Sequence, residues 1–117
     1  MTVQLSLDAT ARELLDAAGG SSANRAARTV VGGHEHTMRQ TVIALLAGAA
    51  LTEHESPGEA TIYVISGQVE LRAGTESWLA DSGDLVEIPP QRHSLRAHED
   101  SVVLLTAVPR EYEDHSR

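Results

Sequence analysis

A chain of 117 residues, 41% of them hydrophobic, makes one folded domain with no room for a second core. It has no cysteine, which excludes a disulfide framework, a thiol nucleophile and thiolate metal ligands. Seventeen acidic residues against nine basic ones give a net charge of −8, the wrong sign for a surface that displaces counterions from a phosphate backbone, so no nucleic-acid partner is expected.

All nine basic residues are arginines, which removes lysine Schiff-base chemistry and the lysine of a phosphate-binding loop. No apolar stretch approaches membrane-spanning length, so no membrane partner is expected. No basic region leads into an apolar run at the start of the chain, so a cytoplasmic location is expected.

Residues 8–19, "DATARELLDAAG", read as a short helix. Thr10 with Glu13 has the spacing of a capping box, and Leu14, Leu15 and Ala18 form one apolar stripe. Gly19 and Gly20 stop the helix, and "SSAN" follows as a polar linker. From Arg28 onward the pattern changes to strands and turns. "RTVVGG" is a short run closed by two glycines. In "TMRQTVIALLAG", Val42, Ala44 and Leu46 lie on one side and Ile43 and Leu45 on the other, as in a strand covered on both faces.

Three paired runs follow. "ATIYVIS" and "QVELR" flank Gly67 as a hairpin, "ESWLA" and "DLVEI" flank the turn "DSG", and "RHSLRA" and "SVVLLTAV" flank the polar turn "HED". Turns at this even spacing predict a sandwich or small barrel. The organisation expected is a helix and linker over 1–27, a barrel over 28–110 and an acidic tail over 111–117.

The stretch "EHESPGEATIYVISGQVEL" and the later run "GDLVEIPPQRHSL" carry a resemblance. Residues 48–97 resemble the cupin superfamily, whose fold is a double-stranded β-helix, or jelly-roll barrel. That family's first motif has two histidines one residue apart, a glutamate four positions later and a glycine seven after that. Counting back from Gly67, these positions are His54, Ser56 and Ala60. The second motif corresponds to Gly83, Asp84, Pro89 and His93. The resemblance implies an all-β jelly-roll barrel preceded by a short helix.

Cupins that hold a metal typically use three histidines and one glutamate. This chain keeps His54 and His93 but has Ser56 and Ala60 in the other two places. Two imidazoles and water hold a borderline divalent ion such as zinc, nickel or copper only weakly. Glu53 and Glu55 flank His54, and strand alternation turns them to the opposite face. Glu59 is a further candidate if Pro57 and Gly58 break that alternation. His34 and His36, in "GGHEHTM", form a second pair, read as a solvated turn.

A pocket lined by Thr52, His54, Ser56, Ile62, Val64, His93 and Leu95 is expected to take a small molecule. The alternative is an enzyme, metal-dependent or using His54 or His93 as acid and base in the manner of cupins resembling sugar-nucleotide epimerases. A third reading is an interaction protein with a filled barrel. Tyr63 and Ile65 lie opposite Ile62 and Val64, so their face needs cover from the N-terminal segment or another chain. Together with strand 38–47 this predicts a homodimer.

Overall fold

The computed structural model describes residues 2–54 and 58–109, without the side chains of residues 53 and 54. Helix α1 spans Leu7–Gly19. Its N-cap is Ser6, whose Oγ accepts the Ala9 amide at 3.1 Å. Thr10 is therefore not the cap. It lies in the first turn, buried, with its hydroxyl donating to the Ser6 carbonyl at 2.9 Å. The helix ends at Gly19, with Gly20 as its C-cap.

Among the described residues nine strands follow: β1 (Arg25–Val31), β2 (Arg39–Leu45), β3 (Ala50–His54), β4 (Gly58–Ser66), β5 (Gln68–Ala73), β6 (Glu76–Asp81), β7 (Leu85–Glu87), β8 (His93–Ala97) and β9 (Ser101–Pro109). Strand β1 begins before Arg28, directly after Asn24, whose φ of 58° turns the chain out of the linker. The strands form two antiparallel sheets in the orders β1-β2-β9-β4-β7 and β3-β8-β5-β6. This is a jelly roll, although among the described residues no strand pairing joins the two sheets into a closed cylinder.

The pair expected as a hairpin around Gly67 is a sheet crossing, and so are the two other paired runs. Strands β4, β7 and β9 belong to the five-stranded sheet, while β5, β6 and β8 belong to the other. Gly67, the "DSG" turn and the "HED" turn are therefore corners at which the chain changes sheet. The reason is burial. Each run has an apolar side that faces a common core, and two facing sheets cover more of that surface than one flat meander. Consecutive strands do pair as β1 with β2 and as β5 with β6.

The core between the sheets includes Ile43, Leu45, Ile62, Val64, Val69, Leu71, Leu95 and Val103. A second cluster lies on the outer face of the five-stranded sheet. There Ala11, Leu14 and Ala18 of α1 pack on Val42, Ala44 and Val102, with Ile65 beside them. The two apolar faces of β2 are thus accounted for within one chain, and the helix supplies the cover. Burying a leucine such as Leu14, which is 4% exposed, stabilises by about 1.5–3 kcal/mol. Tyr63 stays partly exposed, opposite Leu85 of β7.

Candidate functional site

Strand β8 alternates cleanly, with His93, Leu95 and Ala97 buried. His93 is only 3% exposed. It lines a small cavity between the sheets together with Ile43, Leu51, Ile62, Ile88, Leu95 and Leu105. The cavity volume is about 30 Å³. The Nδ1 atom of His93 lies 3.0 Å from the Gln91 carbonyl oxygen. A carbonyl only accepts, so Nδ1 carries the proton and donates. In the neutral ring the lone pair then belongs to Nε2.

Strand β3 pairs with β8, and its register is irregular. Leu51 lies opposite Leu95 and His54 opposite His93, so three steps along β3 match two along β8. This extra residue is a β-bulge. It explains one difference from the expected lining. Strict alternation back from His54 makes Thr52 inward, but Thr52 is exposed and Leu51 lines the cavity. The backbone brings His54 to the register position facing His93.

Of the other expected lining residues, Ile62 and Leu95 border the cavity. Val64 is fully buried in the core but does not line it. Ser56 lies outside the described residues. Ile43, Leu51, Ile88 and Leu105 were not expected there; each is an apolar residue in a strand or beside a proline, a signal that marks core without distinguishing cavity from filling.

The family model for the cupin domain matches residues 41–109, more than half of the chain. The chain belongs to the cupin family. Among solved structures, a conserved protein of unknown function from Streptococcus pyogenes is 28% identical, with a TM-score of 0.68 over 76% of this chain and 77% of that one. A protein from Thermus thermophilus is 27% identical, with a TM-score of 0.63 over 73% of this chain and 83% of that one. A cupin superfamily protein from Desulfitobacterium hafniense is 10% identical, with a TM-score of 0.67 over 73% and 77%, a likeness of fold alone. Comparison with curated proteins finds no match.

As a cupin metal centre the described residues do not fit. Ala60, in the place of the family's glutamate, is a buried methyl in the core. Glu59 is exposed, turned away from the side that buries Gly58 and Ala60. Among the described residues no three histidine, cysteine or carboxylate side chains gather as a metal set. His34 and His36 sit exposed in the turn between β1 and β2. The second-motif residues act on the backbone: the Asp84 carboxylate accepts the Asp81 amide at 2.8 Å, pinning the corner before β7. No described helix is long and apolar enough to cross a membrane.

Proposed function

We propose that this cupin is a small-molecule-binding protein whose ligand is met by His93, with His54 across the strand pair. The observation that carries the reading is the buried His93 ring, anchored through Nδ1 and set in an otherwise apolar cavity. A mostly apolar hollow with a single fixed polar group is the usual make-up of a small-molecule site, the polar group setting the ligand's orientation. The cavity bounds the ligand. About 30 Å³ holds one water or one functional group of a ligand, not a whole sugar or nucleotide. The ligand therefore offers one polar group, such as a hydroxyl, and leaves its bulk at the end of the barrel.

A divalent zinc, nickel or copper ion is held weakly, because two imidazoles leave most of its coordination to water or ligand. The missing carboxylate also leaves the ion's full charge beside an aliphatic lining, which costs solvation energy. An isomerase-like acid–base reaction draws less support, since no carboxylate or phenol lines the described cavity. We also propose a homodimer, now resting on the exposed pair Tyr63 and Leu85 rather than on β2, which α1 covers.

The test is calorimetric titration of the untagged protein with zinc and with a panel of small hydroxylated metabolites, repeated on His93→Ala and His54→Ala. Saturable binding lost in both variants supports the reading. Binding that survives both substitutions overturns it, as does stoichiometric iron that survives dialysis against chelator.

A further inference from the structure

The face of the four-stranded sheet that points away from the core holds a second concavity, of about 440 Å³. It lies outside the barrel and is independent of the His93 site. Strand alternation sends Leu71 and Leu95 inward, so Arg72, Glu70, Ser94 and Arg96 occupy the outer face. The register sets Arg72 opposite Ser94 and Glu70 opposite Arg96. The two arginines are therefore diagonal neighbours across one strand pair, within reach of a single small ligand. Gly48, Ala50 and Ser94 are small, and the space between the long side chains stays open.

The charges are out of balance in a direction unusual for this chain. On a protein of net charge −8, the described residues of the hollow set Arg72 and Arg96, with the His98 ring beside them, against one carboxylate, Glu70. Both oxygens of that carboxylate are engaged, one by Arg72 at 3.2 Å and one by His98 at 2.9 Å. These contacts hold the Glu70 carboxyl below the usual glutamate range, with the His98 contact the larger cause. Arg25 adds a third guanidinium beside the floor, donating to the Ala50 carbonyl at 2.7 Å. No protein acceptor meets the Arg96 guanidinium among the described residues. Leu79, opposite Glu70 and 57% exposed, adds an apolar margin.

Two guanidinium forks flanking a hydroxyl match the oxygens of a carboxylate or phosphate group. The volume falls in the range of small-metabolite pockets. We propose that this outer hollow binds a small organic oxyanion, a carboxylate or phosphate ester, between Arg72 and Arg96 with Ser94 beneath it.

The test is an amide and arginine-side-chain NMR titration of the whole protein at low ionic strength, with inorganic phosphate in one arm and succinate in the other. Saturable shifts centred on Gly48, Ser94 and Arg96 are expected, with a dissociation constant on the order of 1 mM. Arg96→Gln should weaken binding about tenfold, the effect of losing charge-assisted hydrogen bonds, and Arg72→Gln should weaken it as well. Arg39→Gln, on β2 in the other sheet, should leave it unchanged. Tighter binding of phosphate than of succinate assigns a phosphorylated ligand, and the reverse assigns a carboxylate. Linear, unsaturable shifts in both arms overturn the proposal, as does binding by Arg96→Gln within twofold of the wild type.

Discussion

Replacing Gly67 with alanine should be among the most damaging single-methyl changes in this barrel. Gly67 has a φ of 88° at the corner where the chain leaves β4 for β5. A side chain in that left-handed region costs about 1–2 kcal/mol by itself. A methyl there would also collide with the Ser101 hydroxyl and the Asp100 carbonyl oxygen. Ser101 is fully buried; its Oγ accepts the Gln68 amide at 3.0 Å and lies 2.7 Å from the Glu99 carbonyl oxygen. Moving it aside weakens these bonds, at about 1 kcal/mol each. The total is roughly 3–4 kcal/mol, a large part of the stability of a domain this size. Gly48→Ala is the control, since Gly48 has a φ of 87° but open space around it. Urea denaturation should place the Gly67→Ala midpoint about 1–2 M below that of Gly48→Ala. Equal midpoints for the two variants would refute the close approach of the β4–β5 and β8–β9 corners.

Leu14→Ala should cost about 2–3 kcal/mol in the same assay by opening the cluster between α1 and the five-stranded sheet; a loss under about 0.5 kcal/mol would mean that the helix does not cover β2. Glu70 should titrate below the ordinary glutamate range, so its contacts add stability above that range and lose it as pH falls through the lowered value. His98→Ala should move the midpoint up, as read by carboxyl-carbon NMR; an unmoved midpoint would show that the His98 contact is not formed. Light scattering at micromolar concentration should give a dimer mass, reduced to monomer by Leu85→Glu. A monomer mass for the wild type would count against the pairing.

Much of the fold is legible in the residue pattern. The doubly apolar β2 appears as Val42 and Ala44 under the helix and as Ile43 and Leu45 in the core. The spacing from Gly83 to His93 marks the family. Which strands pair is not legible, because "ATIYVIS" and "QVELR" carry the same local signal whether they form a hairpin or cross between sheets. The site is half legible. His93 stands where its motif puts it, but the bulge between Leu51 and His54 shifts the lining from Thr52 to Leu51. Apolar Leu51 beside polar Thr52 carries that signal in the sequence, and strict alternation from His54 runs against it. The outer hollow depends on side chains left open by their small neighbours, and no motif marks that.

The measurement closest to the ligand-binding reading is a histidine-ring nitrogen NMR spectrum, recorded while zinc is added to the whole protein and then withdrawn with chelator. His93 should show a protonated Nδ1, from its contact with the Gln91 carbonyl, and a lone pair on Nε2. Zinc should shift Nε2 of His93 together with the His54 ring. Chelator should reverse both shifts and leave the fold intact. Zinc-induced shifts confined to His34, His36 or His98, with His93 and His54 unmoved, would contradict a functional centre at the His54–His93 pair.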